Sequence, residues 1–303
     1  MKFVDPKSNI AFKKIFGNEN KKEILISFLN AVLMLESEKA IKDVTILDPY
    51  QAPKIKDLKE TILDVRAKDG RGVTFIVEMQ VEKEDYFPKR ALYYTSKAYV
   101  SQIEKAVDYP QLNQIFFIGI LNFKIFETKD YISSHLILDS KTYKQEIKDF
   151  EFNFIELTKF KKKLDELETV IDKWIYFFKH TEDLKVVPVE LSSVKEIAEA
   201  FEIAEQHNWT QEELDIYEYW QMQEAIHINI LESGIKKAKI EGKEEGLKEG
   251  KEKGREEGLK EGEIKAKKET AKKFLSLGVD VATVIKATGL DEKTINDLIF
   301  SLK

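Results

Sequence analysis

Residues 63–81 constrain the fold of this 303-residue chain more than any other stretch: LDVRAKD, then GRG, then VTFIVEMQV. A strict two-residue alternation runs through both arms. Leu63, Val65 and Ala67, with Val73, Phe75, Val77, Met79 and Val81, point to one face, which must be the core. Asp64, Arg66 and Lys68, with Thr74, Glu78 and Gln80, point to the other. A three-residue loop, Gly70 to Gly72, sets Asp69 opposite Val73 and therefore Asp64 directly across from Glu78, with Gln80 one same-face step further. Side chains opposed in this way have Cβ atoms about 5 Å apart. A two-residue loop would put Asp64 opposite Val77 and mix charges with core residues, so the apolar pattern rejects it. Gly72 suits the left-handed position that a three-residue hairpin needs.

Two facing carboxylates beside a core sheet repel unless something neutralises them. Mg²⁺ fits, because it takes hard oxygen ligands and keeps waters for a phosphate substrate. The backbone carbonyl of Met79 would add a ligand from the same strand. Such an ion makes a water easier to deprotonate for attack on phosphorus, and Gln80 is placed to orient that water. The hairpin alone leaves a second reading open, in which Asp64 and Glu78 pair with Arg66 or Lys68 on a solvent-facing surface.

Around the hairpin the periodicity is mixed. Asn9–Leu35 predicts an amphipathic helix with a bend at Gly17, carrying Phe12, Ile15, Phe16, Ile24, Leu25, Phe28, Leu29 and Val32 inward. Residues 44–51 predict a strand closed by Pro49, and ETILDVRAKD the first arm of the hairpin. A helix over 86–107 and a buried strand over 114–123 complete a mixed α/β domain at 1–150. The pattern is helical from Leu157 to Ser233, which predicts a helical subdomain at 151–233. One apolar face there holds Leu164, Leu167, Val170, Ile171, Trp174, Phe177 and Phe178; Ile197, Phe201 and Ile203 belong to another, beyond Pro188.

Residues 234–270 change character, with glycines at 242, 246, 250, 254, 258 and 262 and charges in nearly every position between. Glu244–Lys248, Glu249–Lys253 and Glu256–Lys260 each favour a helix by about 0.3 kcal/mol. An interior glycine costs about 1 kcal/mol relative to alanine, so a helix is not expected to persist here alone. Either the segment is a solvated linker, or its glycine stripe lets two helices approach and the chain self-associates. At 271–303 a small helical module returns, with Phe274, Leu275, Leu277, Val281, Val284, Ile285, Leu290, Ile295 and Leu298 as its core and Gly278 and Gly289 at its turns. Its last helix, DEKTINDLI, has one lysine against three acids. An interaction or packing module suits that better than a helix-turn-helix reader of DNA.

Cysteine is absent and only four histidines occur, which disfavours sulfur-based zinc sites, thiol nucleophiles and histidine relays. The opening MKFVDPKSNIAFKKIF lacks an apolar signal core, and no run of about 18 apolar residues is present, so a cytoplasmic location without membrane contact is expected. The net charge is −6, but residues 1–110 hold 19 Lys+Arg against 17 Asp+Glu, so polyanion contact is expected on that third.

An Asp, a short hairpin and Glu-x-Gln, with a helix before and after, resemble the PD-(D/E)XK nuclease signature. The stretches AFKKIFGNENKKEILISFLNAVL, LDVRAKDGRGVTFIVEMQV, PKRALYYTSKAYVSQI and LDELETVIDKWIYFFK resemble more narrowly the recombination-promoting nuclease (Rpn) family, which is grouped with transposases. The glycine-punctuated tail and LSLGVDVATVIKATGLDEKTI share that likeness. The resemblance implies a restriction-endonuclease-like α/β core, a mixed sheet flanked by helices, followed by an all-α region and a charged helical tail. It implies a DNA endonuclease acting in recombination or on mobile elements, with Mg²⁺ as cofactor, Mn²⁺ as an alternative and Ca²⁺ as a substitute. By it, Asp64 and Glu78 are metal ligands, Glu23 on the first helix is a further candidate ligand, and Gln80 stands where the motif usually has lysine. Gln80 cannot supply that lysine's charge. Arg90 and Lys97, two turns apart on the next helix, are candidates for phosphate contact or members of a solvated face. The alternative is a DNA-binding or assembly protein that keeps the fold without chemistry.

Overall fold

The computed structural model describes residues 1–51, 61–103, 109 and 112–302. Its strands in chain order are β1 (Val44–Leu47), β2 (Tyr50–Gln51), β3 (Thr61–Ile62), β4 (Val65–Asp69), β5 (Thr74–Gln80), β6 (Ile115–Leu121), β7 (Ile132–Leu136) and β8 (Phe150–Glu156). Six of them form one mixed sheet in the order β1-β4-β5-β6-β8-β7, and β2 pairs with β3 separately. β1, β4 and β5 are antiparallel neighbours; β5, β6 and β8 run parallel; β7 returns antiparallel on β8.

The hairpin register is the one that the alternation predicts. Val65 faces Val77, Ala67 faces Phe75, and the Asp69 N–H donates to the Val73 carbonyl at 3.0 Å. Gly72 has φ +90°, and a Cβ there would stand 2.8 Å from the Asn113 side chain, so its glycine is needed twice over. Asp69 closes the turn by accepting from the Arg71 and Val73 N–H groups.

Strands that run parallel in the middle of a sheet are covered on both faces. One cover consists of α1 (Asn9–Phe16), α2 (Lys22–Val32), α4 (Val170–His180) and α6 (Lys195–Ala204), packed on Val65, Ala67, Phe75, Val77, Met79, Ile118 and Ile120. The other is α3 (Phe87–Val100), which sets Phe87, Ala91 and Ala98 against Ile76, Phe117 and Leu121. The face of the hairpin that carries Ile76 is therefore roofed by α3, whereas the Asp64 side chain meets Asn9 and Lys13 of α1. Gly119 lies beside Glu78 in register, where a Cβ would come within 3.0 Å of the Phe87 and Phe154 rings.

Several elements depart from expectation. Leu63 joins the α3-side core and not the face of Val65, because its N–H donates to the Pro49 carbonyl (3.0 Å) and β4 begins two residues later. The strand expected to start at Glu60 is thus divided between β3 and β4; Glu60 itself, and residues 104–107 of the expected α3 helix, lie outside the described residues. β7 and β8 are strands that the periodicity reading does not contain. Leu164 and Leu167 lie in turns before α4, and Val170 is 40% exposed at its start. The Gly17 break is as expected: its N–H closes α1 on the Lys13 carbonyl at 2.8 Å.

After the short α5 (Val189–Ser192) and α6, the chain enters α7 (Gln211–Ser276). Contacts divide the chain into two units, Met1–Met222 and Gln223–Lys303. In the first, the Tyr217 hydroxyl accepts the Asp5 N–H at 2.8 Å and fixes the start of α7 to the N-terminal segment. In the second, the glycine-punctuated segment is helical throughout, contrary to the expectation that it would not persist. Glu256–Lys260 pairs at 2.7 Å as expected, joined by Glu263–Lys267 at 3.3 Å. Nothing lies within 4 Å of where a Cβ would stand at any of its glycines, so close backbone packing is not used within the chain. Ala271, Val284, Ile295 and Leu298 bury a small core among α7, α8 (Val281–Thr288) and α9 (Glu292–Leu302). Gly278 and Gly289 take positive φ at the turns, whereas Leu277 is 78% exposed and contributes nothing to that core. Among the described residues, no helix is long and apolar enough to cross a membrane.

Candidate active site

The site forms where the β4–β5 ladder stops. The last ladder pair is Val65 with Val77, and Asp64 stands in a bend just before β4, beyond the paired residues. Side chains take over. The Asp64 N–H donates to Glu78 Oε1 at 3.0 Å, and the Met79 N–H donates to Asp64 Oδ2 at 2.9 Å. Each carboxylate is thereby held by the backbone of the opposite strand.

Asp64 has one long ion pair, and Glu78 has none among the described residues. Asp64 Oδ1 accepts from Asn9 Nδ2 at 3.1 Å, and Lys13 Nζ stands 3.9 Å from the same oxygen. Asn9 and Lys13 are one turn apart on α1, which Ser8 starts by capping the Ala11 N–H. Arg66 and Lys68, the pairing partners in the solvent-facing reading, make no ion pair with either acid. Glu78 is only 5% exposed. Burial, reinforced by the nearby Asp64 charge, pushes its carboxyl up to about 8, against the pull of the Asp64 N–H, Arg90 and Lys13. Burial raises Asp64 as well, opposed by the Met79 N–H, Lys13 and Arg90.

On the α3 side, Arg90 Nη2 donates to Gln80 Oε1 at 2.6 Å and Nη1 pairs with Glu84. Gln80 Nε2 donates to the Glu82 carbonyl at 3.1 Å, so its amide oxygen is turned to Arg90. The Arg90 guanidinium lies 4.7 Å from the Phe87 ring centroid and 5.7 Å from that of Tyr94. Arg90 is thus within electrostatic reach of both acids. Lys97 lies half-buried further along α3. Glu23 faces elsewhere: it lines a cleft with Asn30, Met34, Thr169 and Glu196 that contains neither Asp64 nor Glu78.

The donor set suits a hard cation. Two carboxylates forced together in a buried place are destabilised by their own charge, and Mg²⁺ is commonly held by one or two carboxylates with waters completing its shell. Among the described residues no three acidic or histidine side chains form a cluster that could hold a metal ion. Glu78 Oε2 has no hydrogen-bond partner among the described residues, and Met79 contributes its N–H to Asp64. Asn9 and Lys13 were not legible as site residues. Their i,i+4 spacing opposite Phe12, Ile15 and Phe16 marks a polar face of α1, but only the packing of α1 on the sheet turns it toward Asp64.

The family model described as PD-(D/E)XK nuclease family transposase matches residues 6–234. No curated protein and no solved structure matches the chain. The matched span takes in α1, the whole six-stranded sheet and the Asp64–Glu78–Gln80 constellation at the end of β5, with helices where the fold requires them. The chain belongs to the PD-(D/E)XK nuclease family of transposases.

Proposed function

We propose that the protein is a Mg²⁺-dependent DNA endonuclease of recombination or mobile-element biology, working in the cytoplasm, with Asp64 and Glu78 as the metal-holding pair and the Met79 carbonyl beside them. The observation that carries this reading is the reciprocal hold of Asp64 and Glu78 on each other's strand, with Glu78 buried and, among the described residues, without an ion-pair partner. When bound, a divalent ion supplies Lewis acidity, making water a nucleophile at neutral pH and stabilising charge on the phosphate. Mn²⁺ would serve as well, and Ca²⁺ would bind in its place.

The chain's own residues do the rest. Lys13, near Asp64 but too far for a tight pair, offers the positive charge that Gln80 cannot give. Arg90 holds Gln80 and is oriented by Glu84 and the Phe87 and Tyr94 rings, which keeps a second cation at the site's other wall. Asn9 fixes the Asp64 carboxylate by its other oxygen.

The test is incubation of the purified chain with supercoiled plasmid and Mg²⁺ beside Asp64→Ala and Glu78→Gln. Nicking or linearisation by the wild type that both variants lose is the expected result. Cleavage that survives Asp64→Ala would refute the assignment.

A further inference from the structure

The loops that follow β6 and β8 gather cations at the end of the sheet where Glu78 lies. After β8 comes LTKFKKK, residues 157–163, with four lysines and no acid; after β6 comes a loop with Lys124 and Lys129 beside Glu127 and Asp130. β5, β6 and β8 run parallel, so these loops leave the same strand ends as Gln80, whose carbonyl accepts the Asn122 N–H at 2.9 Å. Two strand spacings, about 10 Å, separate β5 from β8. Ligands of open α/β sheets approach at the carboxyl ends of the strands.

Two clefts open there and share Lys161. One, of about 450 Å³, is lined by Lys124, Glu127, Lys129, Thr158 and Lys159; the other, of about 300 Å³, by Lys163, Lys179 and His180. Lys159 is held by Glu156, and Lys162 by Asp172 at 2.8 Å. Lys124, Lys129, Lys161, Lys163 and Lys179 have no acidic partner among the described residues. Lys179 donates to the Phe160 carbonyl at 2.7 Å, and after burial the charges of Lys161 and Lys7 press its ammonium toward neutrality. His180 is pushed the same way by burial, Lys179 and Lys7, with Asp183 opposing. Lysines outnumber the one acid, Glu127, among the residues lining the two clefts, and a shared anion would relieve their mutual repulsion. The buried Thr158 Oγ1 in the first cleft also lacks a hydrogen-bond partner among the described residues. Leaving such a hydroxyl unpaired is costly, and a phosphate oxygen would satisfy it. Lys7, bonded to the Phe178 carbonyl, is two residues from Asn9, which holds Asp64.

We propose that this lysine surface, from Lys124 and Lys129 through Lys161 to Lys163 and Lys179, is the track on which the DNA phosphodiester backbone lies as it enters the Asp64–Glu78 site. This assignment rests on the nuclease reading. It also places polyanion contact outside the N-terminal third to which the charge sums point.

The test uses the full chain, a short fluorescent DNA duplex, Ca²⁺ to hold the complex uncut, and a salt series. In the combined Lys124→Ala, Lys129→Ala, Lys161→Ala and Lys163→Ala variant, all at exposed positions, affinity at fixed salt falls at least about tenfold, and the slope of log K against log salt drops by about 0.9 for each phosphate that is no longer neutralised. Lys161→Glu alone acts in the same direction, and thermal melts show that both variants fold. Four tail lysines changed to alanine (Lys243, Lys248, Lys251 and Lys253) leave affinity and slope unchanged. Wild-type binding by the combined variant, or equal loss in the tail variant, overturns the track. If that happens while plasmid cleavage stays dependent on Asp64, the nuclease reading stands without it. If binding needs the lysines but no cleavage occurs, the track stands and the nuclease reading falls.

Discussion

Asp64 and Glu78 exchange hydrogen bonds across the end of a β-hairpin, each carboxylate accepting an N–H from the other's strand, at 3.0 and 2.9 Å. The exchange fixes both acids in place although their charges repel. A protein that only needed the fold would gain stability by losing one of them.

That gives the first prediction. The Glu78 carboxyl is raised from an ordinary value of 4.5 to about 8, so between those pH values the folded chain holds a proton that the unfolded chain has released. Folding stability therefore falls as pH rises through that window, by up to about 1.4 kcal/mol per pH unit. Without metal, Glu78→Gln should be more stable than wild type at pH 8 by at least about 1 kcal/mol, with a shallower pH dependence. Urea unfolding at pH 5.5 and pH 8 measures both, and equal slopes in the two proteins would contradict the account.

Metal binding should reverse the penalty. Mn²⁺ or Mg²⁺ is expected to raise the melting temperature of the wild type, more at pH 8 than at pH 6, because the ion must displace the proton on Glu78. Asp64→Ala should lose the shift. A shift in Asp64→Ala equal to that of the wild type would mean that the ion sits elsewhere.

Lys13 stands 3.9 Å from Asp64, outside ideal pairing distance. Lys13→Met should lower kcat for cleavage at least about tenfold, the usual scale for a positioned charge acting in the transition state. Metal affinity should hold or improve, since a repelling cation is gone. Lys13→Arg should restore part of the rate. Unchanged kcat in Lys13→Met would remove this residue from the mechanism.

Restoring a lysine at position 80 should not help. Gln80 accepts from Arg90 at 2.6 Å, so Gln80→Lys would set two cations against each other and turn Arg90 away. Lower stability by about 1 kcal/mol and no gain in cleavage are expected, from the loss of a charge-assisted hydrogen bond. Faster cleavage by Gln80→Lys would contradict this arrangement.

The hairpin register was legible because an alternation of period two leaves one solution once the loop length is set, and Asp64 beside Glu78 follows from it. The Gly17 break was legible for a local reason too, a glycine inside a helical pattern. Leu63 was not, because its orientation depends on the Pro49 carbonyl, a contact between distant residues. β8 carries a clear alternation of Phe150, Phe152 and Phe154, but β7 is a polar edge strand, Ile-Ser-Ser-His-Leu, with no apolar pattern to find. Asn9 and Lys13 became site residues only when α1 docked on the sheet. The glycine-rich helix defied summed propensities, for which the fold offers no compensating contact along that stretch.

The most direct test of the shared-ion claim is anomalous diffraction from a crystal of the protein soaked in Mn²⁺. The account predicts a peak bridging Asp64 and Glu78, about 2.0–2.2 Å from an oxygen of each, with water filling the remaining positions. Bound Mn²⁺ elsewhere, with the two carboxylates still hydrogen-bonded to each other's strand and no density between them, would contradict it.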